Sequence, residues 1–144
     1  MRPATGILVL LLWWHGLAPD AIAQENETES PAVPTAFQQV MAAFERGDVD
    51  ALIRRCADRV DLSLFGDGEL LSKSQAKYVM REFFRDYPPQ ELDVEETSST
   101  EGSWFASGIY RHRSGNPLSI YFRLRSSDGN WELREIRFAG RVRE

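Results

Sequence analysis

The stretch LLSKSQAKYVMREFFRDYPP, residues 70–89, constrains the fold more than any other segment. Ser72 followed three residues later by Gln75 is a capping-box pattern, which marks a helix start. Ala76, Val79, Met80, Phe83, Phe84 and Tyr87 then recur at i, i+3, i+4, i+7, i+8 and i+11, the spacing of one helical face. Lys77, Arg81, Glu82, Arg85 and Asp86 keep off that stripe. Pro88-Pro89 ends the helix, because proline lacks the amide the next turn needs and restricts the residue before it. A stripe this wide, carrying two adjacent phenylalanines, has to lie across an extended apolar surface.

The following residues supply that surface as four strand signals. QELDVEE places Leu92 and Val94 on one side. SWFASGIYRHR sets Trp104, Ala106, Gly108, Tyr110 and His112 against Phe105, Ser107, Ile109, Arg111 and Arg113. LSIYFRLR sets Leu118, Ile120, Phe122 and Leu124 against Ser119, Tyr121, Arg123 and Arg125. SGNP and SDGN are the turns, the second with the Asp-Gly hairpin signal. In WELREIRFAGR the apolar parity slips between Trp131–Leu133 and Ile136–Phe138. That slip predicts a bulge near Arg134-Glu135, which curls a sheet. Ala106 and Gly108 are small on the face that carries Trp104 and Tyr110, and leave room for Phe83 and Phe84.

Upstream, Phe37, Val40, Met41 and Phe44 follow helical spacing, with Thr35 as the expected cap and Gly47 as the stop. Asp48 caps a second, short helix whose apolar face is Leu52, Ile53 and Cys56. RVDLSLFGDGELL then alternates like a strand through Val60, Leu62 and Leu64, turns at Gly-Asp-Gly and returns in a short strand. No further acids at the required spacing surround that turn, so it reads as a turn rather than a calcium or phosphate loop. The expected fold is α+β: a curved antiparallel sheet of four main strands plus a short N-terminal hairpin, with three helices on its concave face.

This order resembles the nuclear transport factor two-like superfamily, the cystatin-like cones. Within it, FGDGELLSKSQAKYVMREFFRDYPP is similar to bacterial exported proteins of domain-of-unknown-function family 4783, through Ser72, Lys73, Gln75, Ala76, Phe83, Phe84 and Pro89. The similarity covers roughly residues 36–139. The family resemblance implies no established activity and transfers no functional residue. The superfamily resemblance implies a cone that often encloses an apolar pocket and often dimerises through its sheet.

The N-terminus reads as a targeting segment. Met1-Arg2 gives a positive start, Ile7 to Trp14 an apolar run too short to span a bilayer, and Ala21-Ile22-Ala23 a small-x-small cleavage site. Residues 1–23 are thus expected to be a signal peptide, cut before Gln24, giving an exported, periplasmic or secreted protein. Residues 24–34, polar, acidic and proline-ended, read as a disordered linker, and 35–141 as one domain. After the leader one histidine (His112) and one cysteine (Cys56) remain. They make neither an internal disulfide nor a metal set, and no cofactor is expected. Cys56 reads as a buried inert thiol on a helix face, with a reactive or dimer-linking thiol as the other reading.

Few residues offer catalysis. His112, beside SGNP, reads as a strand-end histidine in water. Tyr110 faces inward, either as a core tyrosine with its hydroxyl at the rim or as the hydrogen-bond donor of a small isomerase- or hydratase-like enzyme. Such chemistry needs a tuned acid or base beside it, and Asp61 and Asp93 alternate outward. Binding is the stronger expectation. The possible lining of an apolar ligand pocket is Met80, Phe83, Phe84, Trp104, Tyr110 and Phe122. The possible interface for a protein partner or homodimer is Phe105, Ile109, Arg111, Tyr121, Arg123 and Arg125 on the outer sheet face, arginine mixed with aromatics as interface cores favour. Charge is uneven: residues 24–103 carry 8 bases and 17 acids, residues 104–144 carry 8 bases and 4 acids. Nucleic acid is not an expected partner for an exported chain of net charge −5.

Overall fold

The computed structural model describes residues 33–141. The expected leader and all but the end of the expected linker lie outside them. The first helix, α1 (Thr35–Arg46), starts one residue differently from expectation: Pro34 is the cap, with no side-chain hydrogen bond, and Thr35 is the first helical residue. Proline at φ −56° is already set for a helix, and its carbonyl accepts from Phe37 N–H at 2.9 Å. Gly47 closes α1 in the left-handed conformation, φ 62°. Asp48 then caps α2 (Val49–Arg55), accepting from the Ala51 amide at 3.0 Å.

Cys56 belongs to no helix. It opens β1 (Cys56–Leu64), whose alternation buries Val60 and Leu62. The Gly-Asp-Gly turn leads to β2 (Glu69–Ser72), with Phe65 taking the positive φ, 61°. The next helix, α3 (Lys73–Asp86), forms the full capping box: Ser72 Oγ accepts from the Gln75 amide, and Gln75 Oε1 from the Ser72 amide at 2.9 Å. Ala76, Met80, Phe83 and Phe84 are its buried face, with Val79 and Tyr87 half-buried beside them.

The last four strands are β3 (Pro89–Thr100), β4 (Ser103–His112), β5 (Leu118–Ser127) and β6 (Asn130–Gly140), an antiparallel meander. Asp128 (φ 51°) and Gly129 (φ 80°) make the tight β5–β6 turn. The N-terminal hairpin does not stand apart from this sheet. β1 pairs in parallel with β6, Leu62 against Ile136, giving one six-stranded mixed sheet in the order β2-β1-β6-β5-β4-β3. The expected all-antiparallel four-strand sheet is corrected accordingly: the chain returns to β1's free edge only after β2, α3 and the three strands β3, β4 and β5 have been placed.

The parity slip in β6 is a bulge. Arg123 pairs with Glu135 and Leu124 with Leu133, leaving Arg134 as the extra residue. A second irregularity in β3 lies between Val94 and Glu96. Such insertions bend strands and curve the sheet. Its concave face meets the helices in aromatic contacts: Phe83 lies 4.1 Å from Phe138 and 5.6 Å from Tyr110, ring centre to ring centre. Phe37 and Phe44 of α1 each lie 5.7 Å from Phe122. α1 therefore takes the Trp104–Phe122 end of the concavity and α3 the Tyr110–Phe138 end. Gly108 is small for another reason than room for Phe83 and Phe84: a Cβ there would collide with the backbone carbonyl of Asp93 in β3, which the bulge brings close.

Candidate functional site

Alternation along β4, β5 and β6 splits two candidate regions by face. Met80, Phe83, Phe84, Trp104, Tyr110 and Phe122 all face the concavity, and all are buried in one core cluster. Their rings pack on one another and on Phe37, Phe44 and Phe138. They form the hydrophobic core. Tyr110 does not end at a wet rim: its hydroxyl donates to the Tyr87 carbonyl at 2.7 Å, and burial pushes its phenol pKa well above the usual tyrosine range.

His112 is also inside, at 6% exposure, which corrects the expected strand-end residue in water. The turn at residues 113–117 folds back over the ring. Nδ1 accepts from the Ser114 amide at 3.2 Å, and Nε2 lies 2.7 Å from the Asn116 carbonyl, which assigns the proton to Nε2. Both nitrogens thus have backbone partners, and the ring meets Tyr87 edge-on at 5.0 Å. Cys56 is buried as well; its thiol donates to the Leu52 carbonyl at 3.5 Å, and desolvation pushes its pKa up to about 12. A thiol so held is a weak nucleophile at neutral pH.

The outer face is where polar and apolar groups stand together. Phe105 and Tyr121 sit side by side, ring centres 6.4 Å apart, and line a cavity of about 570 Å³ with Glu95, Glu96 and Ser107. Ile109 points to the same face but is only 5% exposed, so it belongs to the monomer's interior and not to a contact surface. The arginines have answers within the chain. Arg111 pairs with Glu91 at 3.3 Å, Arg123 with Glu135 at 3.1 Å, Arg137 with Glu135 and Arg134 with Glu132 at 3.1 Å. Arg125 is exposed and has no carboxylate within 4.0 Å among the described residues.

Glu135 is the residue that sequence reasoning missed. It is 7% exposed and held between two guanidiniums. The signal was in the parity slip: a bulge at Arg134 shifts Glu135 onto the outer face, directly opposite Arg123. Burial also raises the Tyr121 pKa, with Glu135 adding to the rise and Arg123 and Arg137 opposing it.

Charge on this face is uneven: acids predominate on β3, where Arg111 answers Glu91 and Arg141 lies 3.9 Å from Glu95, and arginines predominate beyond β4, where Glu132 and Glu135 answer some of them. By register, Glu91, Asp93 and Glu96 of β3 share the side that carries Phe105, with Glu95 in the bulge. Arg123 and Arg125 of β5, Arg134 and Arg137 of β6 and Arg59 of β1 lie toward the other edge. Phe105 and Tyr121 occupy the boundary.

Comparison with known proteins places the whole domain. Residues 37–139 match the family described as Domain of unknown function (DUF4783). A DUF4783 family protein from Bacteroides uniformis superposes with a TM-score of 0.69 at 22% identity, over 74% of this chain and 97% of that one. One from Bacteroides ovatus gives 0.70 at 22%, over 77% and 97%. An uncharacterized cystatin fold protein from Novosphingobium aromaticivorans gives 0.56 at 11%, over 73% and 95%. No curated protein matches the chain.

Proposed function

The chain belongs to the DUF4783 family, and we propose that it serves there as an exported, non-catalytic binding module that docks a protein through its outer sheet face, the partner being a second copy of itself. The observation that carries this is the uneven charge about Phe105 and Tyr121. In a two-fold pair each surface meets its own copy, so the acidic β3 strip of one protomer faces the basic β5–β6–β1 strip of the other. The aromatic pair falls near the axis. Exposed ion pairs contribute only ~0–1 kcal/mol each; the attraction comes from burying the two rings, at about 25 cal/mol per Å² of apolar area, while the charges fix the register.

The core argues against an interior ligand as the main role. Nine-tenths or more of each residue expected to line a pocket is already covered by the protein itself, and a ligand there has to displace packed rings. The test is sedimentation equilibrium of the wild type and Tyr121→Glu over a range of concentrations and salt. Self-association that weakens with salt and is abolished by the substitution, at unchanged thermal stability, is the expected result. A wild type that stays monomeric at the highest concentration sinks the reading.

A further inference from the structure

Beside the aromatic pair, where β1, β5 and β6 meet, the outer face holds a second cavity of about 570 Å³. Arg59, Arg123, Arg125 and Arg134 line it, and Asp61 is the one carboxylate in its wall. The four arginines come from three strands. The parallel register that sets Asp61 opposite Glu135, and the antiparallel one that sets Arg125 opposite Glu132, bring them together.

Their charge is incompletely answered. Arg123 shares Glu135 with Arg137, and Arg134 has Glu132. Arg59 reaches only the neutral Leu70 carbonyl, at 3.4 Å, and like Arg125 has no carboxylate within 4.0 Å among the described residues. Five guanidiniums, counting Arg137, thus stand against Asp61, Glu132 and Glu135, a surplus of two positive charges in a protein whose net charge is −5. The Nε of Arg134 and the Oδ1 of Asp61 are each buried without a hydrogen-bond partner, and that Oδ1 lies beside Gly68. A concave cluster of like charge concentrates counter-ions. Guanidinium forks match the oxygens of a tetrahedral anion bidentately.

We infer that this basin binds a phosphate dianion, free or as a phosphomonoester, gripped chiefly by Arg59 and Arg125. The dianion matches the surplus of two. Ser126 and Ser127 add hydroxyl donors, and Leu70, 56% exposed, offers an apolar wall for the organic part of an ester. Its arginines also belong to the basic strip of the proposed docking face, but the site uses neither Phe105 nor Tyr121 and does not rest on self-association.

Isothermal titration calorimetry of the folded chain with sodium phosphate, against sodium chloride at matched ionic strength, tests it. Saturable binding of one phosphate per chain is expected. Arg59→Gln and Arg125→Gln, both at exposed positions, should each weaken it about tenfold or more, the loss that goes with removing charge-assisted hydrogen bonds. Tyr121→Glu, which breaks self-association without touching these arginines, should retain it, so that failure of this site and failure of the docking reading are told apart. Vesicles of phosphatidylcholine with phosphatidic acid resolve the source. Co-sedimentation lost in Arg125→Gln puts the phosphate on a lipid headgroup; free phosphate binding without co-sedimentation puts it on a soluble ester. No saturable heat and no co-sedimentation, or an affinity unchanged in both arginine variants, overturns the inference.

Discussion

The hydroxyl of Tyr110 in β4 donates to the backbone carbonyl of Tyr87, 2.7 Å away at the end of α3. One of the carbonyls that a helix leaves unpaired in its last turn is thereby satisfied by the sheet beneath it. Tyr110→Phe keeps the ring in the core and removes only this bond. The expected cost is about 1 kcal/mol, read as a lower urea midpoint at unchanged slope. An unchanged midpoint would mean that water serves the carbonyl as well as the phenol does.

Phe83 carries more. Its ring touches Phe84, Tyr87, Tyr110 and Phe138. Phe83→Ala leaves a void that these neighbours cannot all close, and should cost about 3–5 kcal/mol. That is a large share of the stability of a small domain. Thermal unfolding of the variant checks it; a melting temperature equal to wild type would remove α3 from the core.

Two glycines separate close approach from open space. A Cβ at Gly108 meets the Asp93 backbone, whereas one at Gly66 meets nothing within 4 Å. Gly108→Ala should therefore push β3 off β4 and cost about 1–3 kcal/mol. Gly66→Ala should stay within about 0.5 kcal/mol of wild type. Equal effects in denaturant melts would show that the β3 bulge relaxes freely.

Cys56 gives stability a pH dependence at the alkaline end. Its pKa is raised from 9.0 to about 12 by burial. The unfolded chain loses the proton first, so the contribution is fully present below pH 9 and declines as pH rises toward 12. A single such group changes stability by up to about 1.4 kcal/mol per pH unit in that window. Tyr110, also raised, acts in the same direction starting near pH 10. Cys56→Ala should flatten the decline between pH 9 and 10, where the thiol acts nearly alone. The native thiol should also resist thiol reagents at neutral pH. Rapid labelling of folded protein would place it at the surface.

Features whose cause is local were legible in the sequence. Ser72 and Gln75 form the bonds that their spacing implies, and the stripe from Ala76 to Phe84 is the buried face. The parity slip predicts a bulge near Arg134-Glu135, and Arg134 is the extra residue there. What could not be read depends on which strand lies beside which. Alternation tells the face of Val60 and Leu62 but not that Leu62 neighbours Ile136. The Arg59–Arg125 basin exists only because of that pairing. Burial by a neighbouring turn was equally hidden, as with His112 beneath the Asn116 carbonyl. Ile109 obeyed its parity and still was closed over, because facing outward does not by itself mean meeting water.

The parallel pairing of β1 with β6 also governs the order in which the molecule can form. β1 is complete at Leu64, yet its pairing partner ends at Gly140. On one side β1 meets β2 within a few residues; on the other it waits for almost the entire remaining chain, and closing that long loop carries an entropic cost before the contact rewards it. Helices and the β4–β5–β6 hairpins are local and quick, while this seam is remote and slow. The rate-limiting event in refolding should thus be the docking of the first hairpin onto the last strand, and a chain still being synthesised or threaded from its N-terminus cannot lock until residues around Phe138 have emerged.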